Sequence, residues 1–172
     1  MRTVAPTSAT RGFTLVELLL VVVILGIISA IVAPMLRSQR LEAVTSTLRA
    51  NVTQVLMVLE VQKQKQPDGS YPPELDPHWF VEGVLPAHPD KLAGVPSVQV
   101  VHAPGALHPG DKVVHPGILG AYWYNSAEGI FRARVKQQDS DAATLAFYNA
   151  VNQCAEVDLA GTAGIGSGPA GP

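Results

Sequence analysis

The chain has 172 residues, 47% of them apolar and 15% charged, with fourteen acids against twelve bases and a net charge of −2. That length suits one domain with a segment to spare, and the composition is that of a folded chain rather than a disordered or collagen-like one. The charge is uneven: residues 13–66 hold five bases and three acids, whereas residues 67–172 hold five bases and eleven acids, a balance of −6. An acidic distal part argues against a nucleic-acid partner, because such binders concentrate Lys and Arg on one face. The single cysteine, Cys154, has no partner for a disulfide within the chain and reads as an inert thiol.

Residues 1–12 are small and polar and offer nothing to pack, as in a leader. From Phe13 to Leu36 there is one charge, Glu17, in 24 residues. As a helix that stretch is roughly 36 Å long, enough to cross a bilayer. A carboxylate within it costs about 2.5–3.5 kcal/mol on insertion scales, so Glu17 calls for a cation. An ordinary cleaved secretory signal fits poorly. The apolar run is too long, Glu17 lies inside it, and Ile31 stands where a cut after Ala33 needs a small residue.

Gly12-Phe13-Thr14-Leu15-x-Glu17, followed by an aliphatic run and Pro34, resembles the N-terminal segment of type IV pilins and type II secretion pseudopilins. The resemblance implies that a prepilin peptidase cuts after Gly12 and that the new amine of Phe13 is methylated. It also implies that Glu17 pairs with the N-terminus of a neighbouring subunit, so that an acid costly in lipid becomes an assembly contact. The leader is then cytoplasmic.

The helical pattern continues past the apolar run. Leu41, Val44, Leu48, Val52, Val55 and Leu59 keep steps of three and four, with Arg40, Glu42, Arg49, Glu60 and Lys63 mostly off that stripe. One helix is therefore expected to about Gln66, with Gly26 and Pro34 as places for a bend. Its first half, residues 13–36, spans the membrane. Its second half, residues 37–66, is amphipathic and needs cover on one side. Pro67-Asp68-Gly69-Ser70 ends it, and the exit through Tyr71-Pro72-Pro73 again resembles the pilin family.

Residues 72–116 contain nine prolines and five histidines and read as irregular chain with a turn near residues 79–85. A first strand is expected at residues 95–101. Residues 121–124 and 130–135, separated by Asn125-Ser126-Ala127-Glu128-Gly129, read as a hairpin, whose aromatic-Tyr-Asn pattern resembles the strand pair of pseudopilin domains. Ser140 suits an N-cap with Asp141 in the first turn, so residues 141–152 form a short helix, with a strand as the competing reading. Residues 67–154 make the globular domain. Residues 155–172, Gly- and Pro-rich from Ala160 onward, make a disordered tail.

Chemistry is sparse. His88, His102, His108 and His115 share a region, but no two lie within five positions, so loop histidines are favoured over a zinc site. Asp139 and Asp141 offer oxygens that, by the resemblance, make calcium conceivable; capping a helix is the favoured role. No Gly-x-Ser-x-Gly elbow, P-loop or dinucleotide fingerprint is present, and no cofactor is expected.

The sequence predicts an α+β, pilin-like chain in which a long transmembrane-plus-amphipathic helix packs on a small antiparallel sheet. The function implied is a filament subunit in the bacterial inner membrane, foremost a type II secretion pseudopilin, with a type IV pilin as the alternative. A membrane-tethered enzyme or binding module is the rival from another class. The partners implied are other filament subunits, the peptidase, and an assembly platform protein with its ATPase.

Overall fold

A computed structural model describes residues 14–159, apart from the side chains of residues 33 and 34. Helix α1 runs from Leu15 to Lys65, and internal contacts divide the chain between Leu41 and Glu42 into two compact units. Among the described residues of the first unit α1 is the one element. Every side chain at residues 14–32 is exposed, and so are those of Met35 to Leu41.

In the second unit the pattern of α1 does what its spacing predicts. Leu48, Val52, Val55 and Leu59 are buried, Val44 is half-buried, and Leu41, at the edge of the stripe, is exposed. The rest of this core comes from three short strands and a second helix. They are β1 (Val98–Val101), β2 (Tyr122–Asn125), β3 (Ile130–Ala133) and α2 (Asp141–Asn152). Tyr122, Tyr124, Phe131, Ala133 and Val135 meet the α1 stripe from the sheet, and Phe147, Tyr148 and Val151 meet it from α2. Between α1 and β1 the proline-rich chain holds only two short 3-10 turns, Pro77–Trp79 and Val81–Gly83.

The sheet has the order β1-β2-β3, and it is mixed rather than antiparallel. β2 and β3 form the expected antiparallel hairpin, but β1 pairs with β2 in parallel, Val98 opposite Tyr122 and Val101 opposite Asn125. The reason lies in the connection. Residues 102–121 are long enough to carry the chain back to the start of β1, as a parallel pair requires. Gly120 then lets β2 enter flush, since a Cβ there would lie 2.2 Å from the Gln99 nitrogen and 2.6 Å from the Val98 carbonyl carbon. Buried Asn125 ties that connection down through bonds to Ala103 and Ala106.

The hairpin turns at Gly129, whose positive φ of 69° and contact with the Tyr71 ring leave no room for a side chain. α2 starts on Ser140, which accepts from the Ala143 amide at 3.1 Å, and ends at Gln153 in the left-handed region. Residues 155–158, expected in the tail, are held to the domain. Glu156 accepts an ion pair from Lys112 at 3.2 Å, its amide donates to Asn149 and its carbonyl accepts from Asn149. Residues 160–172, the remainder of the expected tail, lie outside the described residues.

The burial difference along one helix gives a direct test. Leu59→Ala, which empties a fully buried position, is expected to cost about 2–5 kcal/mol. Leu41→Ala is expected to change stability by less than about 0.5 kcal/mol. Thermal or denaturant unfolding of the two variants beside the wild type measures both.

Candidate assembly segment

α1 begins on Thr14, whose carbonyl accepts from the Leu18 amide at 3.2 Å. Three further bonds close the first turn. The Thr14 amide and hydroxyl both donate to Glu17 Oε2 at 2.8 Å, and the Glu17 amide donates to Thr14 Oγ1 at 3.2 Å. This is a capping box, in which the N-cap hydroxyl and the acid three residues on satisfy each other's backbone donors. The positive end of the helix dipole favours the same carboxylate.

Glu17 thus has a local role that a search for its cation overlooked, although Thr-x-x-Glu is a readable signature. Both accepted bonds fall on Oε2. Among the described residues Oε1 has no partner. Gly12 and Phe13, the expected cleavage and methylation positions, lie outside the described residues.

Beyond the box, Leu18, Leu19, Leu20, Val22, Leu25 and Ile28 are each at least half exposed, and they point in all directions around α1. Burying such side chains is worth about 1.5–3 kcal/mol apiece, so this surface requires an apolar surrounding. Among the described residues α1 alone is long and apolar enough to cross a membrane.

A model of the prokaryotic N-terminal methylation motif matches residues 7–33. The chain carries a prepilin-type segment of the type IV pilin and pseudopilin kind. Proteins with this segment are, in general, filament subunits processed by a prepilin peptidase, and the apolar helix suits a single-pass inner-membrane protein. The α+β domain, with its long helix, three-stranded sheet and second helix, fits the pilin-like plan. Nothing matches the chain among curated proteins or among solved structures.

The other residues singled out by sequence are dispersed. Among the described residues no group of three or more His, Cys, Asp or Glu converges as for a metal. Asp141 opens α2 and accepts from Gln137 Nε2 at 3.0 Å, while Asp139 lies in the preceding turn. His102 Nδ1 meets the Ser126 hydroxyl at 3.1 Å, but that hydroxyl donates to the Val101 carbonyl, and among the described residues no carboxylate orients the imidazole. The pair braces a loop. Burial pushes the Cys154 thiol above its ordinary range, and its Sγ donates to Asn149.

Sequence reasoning missed the buried cations. Arg134 alternates with Ala133 and Val135 as a solvent-facing residue would, yet it is buried, and its guanidinium donates to the carbonyls of Asp111, Gly120 and Tyr122 and to Gln99 Oε1. Lys112 is fully buried, 3.2 Å from Glu156 and over the Tyr148 ring. Burial also pushes the hydroxyls of Tyr122 and Tyr124 up to about 12, so both stay protonated and donate, Tyr124 to the Pro72 carbonyl at 2.7 Å.

His88 is fixed as a neutral ring. Its Nε2–H donates to the Arg134 carbonyl at 2.8 Å, its Nδ1 accepts from the Asp90 amide at 3.2 Å, and its ring makes a T-shaped contact with that of Tyr122. Protonating Nδ1 would break the Asp90 bond. Burial lowers the pKa of His88, and burial followed by the charge of Arg132 lowers that of His108.

At these two rings the unfolded chain therefore binds protons before the folded one, while His115, whose pKa is raised by its bonds to Pro116 and Asp111, acts in the opposite sense. The stability those two rings contribute is full above the unfolded histidine value, about 6.5, and falls as pH drops through the window below it. The melting temperature should be lower at about pH 5.5 than at about pH 7.5, and His88→Gln should weaken that dependence. Melting curves of wild type and variant at the two pH values check it.

Proposed function

We propose that this chain is a structural subunit of a pilus-like filament, specifically a pseudopilin of a type II secretion system. The observation that carries the reading is a prepilin-type segment at residues 7–33 running into a helix with no buried side chain at residues 14–32. Cleavage after Gly12 frees the amine of Phe13, which the same peptidase methylates. The helix stays in the inner membrane with its start on the cytoplasmic side and the domain on the periplasmic side. An assembly platform protein and its ATPase then drive the subunit into the filament.

Glu17 has two parts in this scheme. Through Oε2 it caps its own helix. Through Oε1 it takes the Phe13 amine of a neighbouring subunit, so a charge unfavourable in lipid is compensated on assembly. Contact rather than turnover is the work of the domain, since His88, His102, His108 and His115 are each engaged by bonds inside it. The pseudopilin assignment draws support from Cys154 being a single cysteine, which leaves no pair of the kind that closes a C-terminal loop in many pilins.

Two variants separate the two parts. Glu17→Gln keeps an acceptor for the Thr14 donors and removes the charge, whereas Glu17→Leu removes both. In the native host, mass spectrometry should find wild type and both variants starting at N-methylated Phe13 and held in the membrane. Filament counts should fall by about tenfold or more in both, because an uncompensated buried amine costs about 3–5 kcal/mol. Filaments restored by Gln would limit Glu17 to capping, and a retained leader or a terminus after Ala33 would overturn the pilin reading.

A further inference from the structure

The two edges of the sheet are finished differently. On the β3 side, the Ala133 amide donates to Asn152 Oδ1 and its carbonyl accepts from Asn152 Nδ2, both at 2.8 Å. Two residues past β3, the Val135 amide donates to the Lys112 carbonyl, and the Val135 carbonyl accepts from Val114, both at 2.9 Å. An α2 side chain and an extended segment thus satisfy the backbone on that side at Ala133 and Val135, leaving Phe131 as the outward position of β3 that they do not reach.

The outer edge of β1 has no such cover among the described residues. In a parallel pair alternate residues turn their backbone groups to the neighbour. Tyr122 and Ser126 donate to the carbonyls of Ser97 and Val101, so Ser97, Gln99 and Val101 face β2. Val98 and Val100 therefore turn N–H and C=O outward, and among the described residues nothing bonds them there. The strand Val-Gln-Val-Val also lacks the charge, proline or bulge with which proteins usually guard an edge.

Alongside this edge lies a groove lined by Pro73, Glu74, Leu75, Leu85, Val98 and Val100. Its lining side chains are apolar except for that of Glu74, which is exposed and has no partner among the described residues. We propose that β1 is a docking edge to which an extended, basic and aliphatic segment of another protein adds as a fourth strand. The backbone of that segment pairs with Val98 and Val100. Its alternate aliphatic side chains enter the groove, and a Lys or Arg meets Glu74.

Backbone and charge both select this occupant. Unpaired strand groups need an extended chain, because a helix has already spent its own backbone bonds. The groove carries an acid on a domain portion with five bases and eleven acids, so the complementary segment is cationic. A second copy would bring the same acid and the same excess of negative charge to the contact. The edge belongs to the second unit and shares no residue with the segment that holds Glu17, so its test does not depend on filament assembly.

The test uses the full chain in detergent micelles and a short synthetic peptide alternating Val and Thr, with Lys at one end. Titration calorimetry should detect binding, and hydrogen exchange should slow at the Val98 and Val100 amides but not at Ala133. N-methylating the peptide amides on the pairing side should weaken binding by about tenfold or more, since it removes strand hydrogen bonds. Glu74→Lys should reverse the preference between this peptide and its Glu-ended counterpart. No binding, equal binding of the N-methylated peptide, or exchange at Val98 and Val100 that slows with protein concentration alone would overturn the proposal, the last by making a second copy the occupant.

Discussion

One constraint governs the molecule: residues 18–32 of α1 carry no charge on any side, and among the described residues nothing covers them. At about 25 cal/mol per Å2 of apolar surface, such a helix is strongly unfavourable in water, so lipid or other helices must surround it. A membrane supplies that surrounding without satisfying a polar group, which is why the few polar atoms at the start of the helix matter. Thr14 and Glu17 use them on each other, and the carboxylate is held at the first turn rather than along the apolar barrel.

The second unit solves the opposite problem with the same helix. There the stripe from Leu48 to Leu59 is covered by a sheet of only three short strands and by α2. So small a sheet cannot organise long connections by itself, and polar side chains buried at their crossings do that work. Arg134 gathers three carbonyls, Asn125 holds the connection between β1 and β2, and Asn152 finishes β3. Each is buried with its bonds satisfied, the condition under which buried polar groups specify a fold instead of weakening it.

Local features of the fold were legible in the sequence and long-range ones were not. The α1 stripe follows from steps of three and four, and α2 follows from Ser140 and Asp141, because capping and periodicity act within a few residues. The parallel β1–β2 pair was hidden, since it depends on Gly120 meeting the backbone of Gln99 across a connection of some twenty residues. Arg134 alternates with Ala133 and Val135 as a solvent-facing residue would, and only the fold reveals the carbonyls that receive it. At the assembly segment the charge of Glu17 drew the reading to a distant cation, although the nearest donors were three residues away.

The central claim is that the uncovered helix is retained and shared between copies of the chain. Single cysteines placed around it, at Leu19, Val22, Leu25 and Ile28 in a Cys154→Ser background, test that claim in the native host. Bifunctional thiol crosslinking in the membrane should yield ladders of joined copies from several of these positions, and none from a cysteine placed at buried Val55. Monomer alone at every position, or a chain recovered without this helix, would contradict the account.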